Sequence, residues 1–257
     1  MINLNDLIAV YPPKLQGFKK NILREYLQCK ILEIIFNSKY ANKLAFLGGT
    51  ALKIVYDNHR FSEDLDFDNF DLKKEEFVEI SEIVKRGLGL EGYETEIRQV
   101  FKGAFRCYIK FPRILFQEGL SGHREEKILI QIDTASHNFK YKPQRKIINK
   151  FDVLTEIFVT PPDILLSQKI CAALGRKRAK GRDFYDIIFL WNKTKPNFNY
   201  LQVKLKIENL KELKRALFKK IKTLDFKQLG RDVSPFLFKA GEARKLELFG
   251  EVLKELA

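Results

Sequence analysis

The stretch FLGGTALKIVYDNHRFSEDLDFD, residues 46–68, constrains the fold of this chain more than any other. Lys43–Leu47 reads as a short strand that ends at Gly48-Gly49. Thr50–Tyr56 reads as the helix behind the turn, and Leu65–Phe67 as the next strand. Paired glycines let a backbone come close to phosphate oxygens, and a helix starting at the turn aims N–H groups at them. Asp64 and Asp66 are one residue apart, so on a strand they point to one face. Two carboxylates on one face can share a divalent cation that neither could hold alone. Either motif alone is weak, because glycines also serve ordinary turns and acidic residues at strand ends are often only solvated. In this order, with Arg60-Phe61-Ser62-Glu63 leading into the pair, they suit an enzyme that holds a nucleoside triphosphate and metal ions.

Around this stretch the pattern is mixed. Residues 17–38 read as an amphipathic helix and Lys73–Gly87 as a helix closed by glycine. Residues 93–101, 104–111 and 126–133 read as extended segments, with a loop at 112–127. The Lys-rich piece 138–150 reads as a linker or surface hairpin. After Thr160-Pro161-Pro162 the pattern is helical, over Asp163–Leu174, Arg182–Trp191, 199–220 and a last helix near 241–256. A β–α–β start followed by a meander predicts an α+β (mixed α/β) core with a small mixed sheet, and a domain boundary near residue 160.

Asp133 closes the apolar alternation ILIQID. It reads either as a strand terminator or as a third carboxylate, brought beside the first two by sheet pairing and acting on a metal or as general base. Lys169 lies in an otherwise apolar helix, where it either snorkels or supplies a point charge to phosphate. Arg176, Lys177, Arg178, Lys180 and Arg182 form a loop that a nucleotide or RNA backbone could use. Asp183 and Asp186, three apart, share a helix face; they read equally as a cap with a salt bridge and as site residues. Ser62 is either a local hydrogen-bonding or phosphate-contacting residue, or a control point where a phosphate would compete for the metal site. The three histidines make no metal pattern, and no nucleophile motif is present.

Charge narrows the partners. The net charge is +14, yet residues 1–139 carry 20 Lys+Arg against 20 Asp+Glu, and residues 140–257 carry 27 against 13. A one-sided basic excess is the footprint of a polyanion binder, nucleic acid rather than membrane, unless it is simply a solvated Lys-rich surface. No apolar run is long enough to span a bilayer, and the N-terminus lacks the pattern of a secretory signal. Three scattered cysteines without metal-ligand spacing predict a reduced, cytoplasmic setting.

Residues 46–67, followed by Lys169 and then Arg182-Asp183-Phe184-Tyr185-Asp186, resemble the motifs of the AbiEii/AbiGii-type nucleotidyltransferase toxins, a branch of the DNA polymerase β-like superfamily. The resemblance spans about residues 40–192. It implies a polymerase β-like nucleotidyltransferase core over 1–160 and a mainly helical, basic domain over 161–257 that completes the active site. It implies Mg²⁺ (or Mn²⁺) and an NTP donor, with Asp64 and Asp66 on the metal; Asp133 is added as a third ligand from its strand position, not from the resemblance. Gly48, Gly49, Thr50, Arg60, Ser62, Lys169, Arg182 and Asp186 would surround the nucleotide, and Asp183 would act in catalysis. It further implies a toxin of a toxin–antitoxin or phage-defence system, with a cognate antitoxin and an RNA acceptor such as the 3′ end of tRNA. Transfer to a protein or small molecule, and a silent RNA-binding module, are the rival readings.

Overall fold

A computed structural model describes residues 3–255. The chain divides into two compact units, Met1–Asp57 with Phe61–Thr160, and Asn58–Arg60 with Pro161–Ala257.

The first unit opens with α1 (Leu4–Ala9), α2 (Lys19–Phe36), β1 (Leu44–Leu47), α3 (Gly48–Ile54), β2 (Leu65–Asn69) and α4 (Lys74–Leu90). It continues with β3 (Glu96–Lys102), β4 (Ala104–Phe111), α5 (Ile114–Gln117), β5 (Ile128–Ala135), β6 (Gln144–Lys150) and β7 (Val153–Val159). The strands form one mixed sheet in the order β3-β4-β5-β2-β1-β7-β6. β2–β5 and β1–β7 are parallel and the other pairs antiparallel. Strand alternation sends Leu65, Phe67, Phe105, Ile130 and Ile132 to one face, which α2 and α4 cover. Phe36 of α2 meets Phe67 at 6.1 Å between ring centroids, and Phe77 of α4 meets Phe105 at 5.6 Å. Removing this apolar face from water is the main driving force for folding of the sheet. The opposite face receives Asp66, Asp133 and their neighbours.

Three sequence expectations need correction here. α4 does not close at Gly87. It runs through Gly87 and Gly89 to Leu90, and Gly92 at φ +87 makes the turn. Glycine inside a helix costs about 1 kcal/mol, but a Cβ on Gly87 would lie 2.8 Å from Ile34 Cδ1, so this glycine lets α2 and α4 approach. β7 escaped the sequence reading, and residues 144–150 are not a linker but β6, the edge strand of an antiparallel hairpin with β7, as the surface-hairpin alternative has it. Its charged residues mask it, as is common for edge strands. Asp133 does not end its strand, since β5 continues to Ala135.

The second unit is helical: α6 (Pro162–Gly175), α7 (Gly181–Trp191), α8 (Phe198–Leu205), α9 (Leu210–Ile221), α10 (Phe226–Val233) and α11 (Phe249–Glu255). The single helix expected at 199–220 is two. Lys206 takes the left-handed conformation at φ +60, and Asn209 caps α9 by accepting from the Glu212 N–H at 3.0 Å. The last expected helix is shorter, because Ala240–Leu246 is 3-10 helix. Phe184, Phe226 and Phe249 form an aromatic cluster with centroids 5.1–5.8 Å apart, joining α7, α10 and α11. Among the described residues, no helix is long and apolar enough to cross a membrane.

Candidate active site

β1 is buried along its length and delivers the chain to Gly48 at φ +80, a conformation that glycine adopts without strain. β1 and β2 are antiparallel, with Leu47 opposite Asp66. The turn therefore lies directly against a carboxylate: a Cβ on Gly48 would sit 2.1 Å from Asp66 Oδ2. Thr50 is buried in α3, and its hydroxyl donates to the Asp64 carbonyl oxygen, tying the helix to the entry of β2. Gln28 of α2 steadies the same entry by donating to the carbonyls of Ser62 (3.2 Å) and Glu63 (2.8 Å).

Asp133 lies opposite Asp66 in the parallel β2–β5 pair, so both side chains project from the open face of the sheet. Its Oδ2 accepts from Arg106 Nε at 3.2 Å and from Gln131 Nε2 at 3.1 Å. Arg106 stands opposite Asp133 on β4, which makes the register of three strands responsible for the grouping. Hard carboxylate oxygens of this kind suit Mg²⁺ or Mn²⁺. Among the described residues no three His, Cys, Asp or Glu side chains form a ready-made metal cage.

Arg60, Lys169, Asp183 and Asp186 form a second group, inside the helical unit, while Gly49 and Ser62 lie in the first unit. Arg60 is 1% exposed and grips Asp186 with both ends of its fork, Nε to Oδ1 and Nη2 to Oδ2, each at 2.7 Å. Asn58 Nδ2 donates to Asp186 Oδ1 at 2.9 Å. Lys169 Nζ lies 2.8 Å from Asp186 Oδ2 and 3.7 Å from Asp183 Oδ1, while Arg176 Nε lies 2.9 Å from Asp183 Oδ2. The one-turn spacing of Asp183 and Asp186 on α7 places both carboxylates among these cations. Burial pushes the Asp186 carboxyl up, but the Arg60 and Lys169 charges outweigh it and hold it at about 2. Arg182 is half-buried and lines a cavity of about 300 Å³ with Arg178, Lys180, Asp232 and Phe236. The Arg182 charge, followed by burial, lowers the pKa of Lys180.

Gly48, Thr50, Asp64, Asp66 and Asp133 thus belong to the first unit, and Arg60, Lys169, Asp183 and Asp186 to the second. Arg106, Gln131, Gln28 and Asn58 escaped the sequence reading. Only Gln131 left a signal, by falling on the same alternation as Asp133; Arg106 comes beside it through the β4–β5 register.

The sequence model of the family described as "Nucleotidyl transferase AbiEii toxin, Type IV TA system" matches residues 30–253. No curated protein matches the chain. Among solved structures, JHP933 from Helicobacter pylori superposes with a TM-score of 0.56 at 17% identity, covering 91% of each chain. A second H. pylori structure, of a protein proposed to be a nucleotidyltransferase, gives 0.57 at 18% identity, covering 93% of this chain and 98% of its own. At these identities the likeness is one of fold, and the fold is the mixed α/β arrangement described above.

Proposed function

The chain belongs to the AbiEii nucleotidyltransferase toxin family, and on that premise we propose that it transfers a nucleoside monophosphate from an NTP to RNA, at the 3′ end of tRNA. The observation that carries this reading is the register of Asp66 with Asp133, with Gly48 set against the Asp66 carboxylate. Asp64, Asp66 and Asp133 would hold Mg²⁺ or Mn²⁺, which when bound neutralises triphosphate charge and acidifies the acceptor hydroxyl. The Gly48-Gly49 turn leaves room for phosphate oxygens, and Thr50 and Gln28 keep the entry of β2 in place. Arg60 and Lys169 hold Asp186 as an anion. The acceptor oxygen bonds to the α-phosphorus, the bond to the bridging oxygen of the β-phosphate breaks, and pyrophosphate leaves. The hydroxyl proton passes to water. Catalysis of this kind rests on positioning and charge neutralisation rather than on a covalent intermediate.

RNA is favoured over a small acceptor by charge: residues 161–257 carry 22 Lys+Arg against 11 Asp+Glu. In the toxin–antitoxin setting of the family, an antitoxin would restrain the enzyme's action. The test is to incubate the purified protein with Mg²⁺, each α-labelled NTP and total RNA or total protein. Label is expected in tRNA-sized RNA, and binding to that RNA should weaken steeply with salt. Label in the protein fraction, or salt-insensitive binding, would overturn the choice of acceptor.

A further inference from the structure

Positive charge in the first unit is gathered on one edge of the sheet. Residues 1–139 carry 20 Lys+Arg against 20 Asp+Glu, whereas residues 140–150 carry five Lys and Arg and no carboxylate. Lys150 turns inward, donating to the buried Glu25 carboxylate and to the Tyr11 hydroxyl at 2.9 Å. Lys142, Arg145 and Lys146 are exposed, and they line a cavity of about 730 Å³ with Asn42, Gln144 and Phe158. Among the described residues no carboxylate lines this cavity. Arg145 has a loose partner in Glu156 at 3.8 Å, an exposed pair of the kind that is worth little. Lys142 and Lys146 make no ion pair among the described residues. Cations gathered in this way repel one another, and a bound polyanion relieves the repulsion. The Arg145 guanidinium lies 5.7 Å from the centre of the Phe158 ring, so charge for a phosphate and a ring for a base stand together. The register of the sheet places this edge: Phe67 stands beside Phe46, Phe46 beside Val159, and Val159 beside Gln144. Three strand spacings, about 14 Å, therefore separate the wall of the cavity from β2, which carries Asp66. A stacked strand rises roughly 3.4 Å per nucleotide, so about four nucleotides cover that distance.

We propose that the β6 edge is a docking surface for the RNA acceptor. It takes the strand about four or more nucleotides back from the reacting 3′ end, with Lys142, Arg145 and Lys146 on phosphates and Phe158 against a base. RNA is favoured over an acidic protein because the cations stand with an aromatic ring and with the side-chain amides of Asn42 and Gln144, which both donate and accept as base edges require. The inference rests on the transferase reading above, and it gives the acceptor a named contact surface in the first unit.

The test uses the full chain, tRNA labelled at its 5′ end and a series of salt concentrations. A double variant, Arg145→Gln with Lys146→Gln, should bind tRNA about tenfold more weakly, and its plot of log affinity against log salt should be shallower by about 1.4–1.8. Phe158→Leu should weaken binding about fivefold or more without changing that slope. In transfer assays the double variant should show a raised KM for tRNA, with kcat and the binding of Mg²⁺–NTP unchanged. Should the double variant not fold, as judged by circular dichroism, Lys142→Gln reads the same effect at about half the change in slope. Unchanged tRNA affinity and slope would overturn the surface and leave the transferase reading standing. Loss of binding to polyglutamate instead of tRNA would assign the edge to an acidic protein and overturn the surface too. A wild-type protein that labels no RNA would remove the acceptor reading, and this surface's role with it.

Discussion

Two pairs of aspartates in this molecule are built for opposite ends. Asp66 and Asp133 lie side by side on the open face of a sheet, and the Asp133 side chain is 26% exposed beside a single arginine. Asp183 and Asp186 lie on one face of α7, at most 2% exposed, among Arg60, Lys169, Arg176 and Asn58. In the second pair the protein supplies its own counter-ions, and what such a cluster provides is fixed geometry. In the first pair Arg106 lies beside Asp133, and in the proposed function a metal ion would add positive charge there. Asp66, Asp183 and Asp186 carry the family resemblance, and the proposed function gives the two pairs different tasks.

The contrast can be broken by mutation. Asp66→Asn should lower nucleotide transfer by roughly 10³-fold with little change in the urea unfolding curve; a variant that transfers label at the wild-type rate would end the metal-site reading. Asp186→Ala leaves the buried Arg60 guanidinium without its carboxylate and should cost about 3–5 kcal/mol of stability, measured by urea denaturation. Gly48→Ala pushes a methyl group into Asp66 Oδ2 and should reduce transfer roughly 10²-fold through misplacement. Lys169→Met removes one charged donor from Asp186 and should cost about 1.5–3 kcal/mol. Loss of NTP binding in Lys169→Met with stability unchanged would instead put Lys169 on the phosphates and blur the contrast.

Acid provides the finest probe. The Asp186 carboxyl is held down at about 2 in the folded chain, below its ordinary value near 4. Its ion pairs therefore contribute stability that is present above pH 4 and is lost as pH falls from there towards 2. The linked loss is about 2 kcal/mol, and it should be absent from the pH–stability curve of Asp186→Asn.

What the sequence disclosed follows the same division. The Gly48–Asp66 unit was legible because turn, strand and carboxylates are contiguous, but Asp64 lies just before β2, so the strand alternation expected to pair it with Asp66 does not reach it. Asp133 was legible as a candidate from the ILIQID alternation, although its register against Asp66 is set by sheet pairing that no local pattern encodes. The partners of Lys169 and Asp186 were not legible, since Arg60 lies 126 residues from Asp186 and such contacts leave no periodic trace. The break at Lys206 was hidden by an amphipathic pattern that continues across it, and β6 by its run of lysines and arginines.

The ion pair between Arg60 and Asp186 also sets a clock on synthesis. Arg60 leaves the ribosome 126 residues ahead of its carboxylate, a wait of about 6–25 s at about 5–20 residues per second. Until then the guanidinium must stay hydrated, because burying it alone is too costly. A nascent chain stalled before residue 186 should therefore be cut by trypsin at Arg60, whereas one stalled late enough for α7 to have emerged should resist.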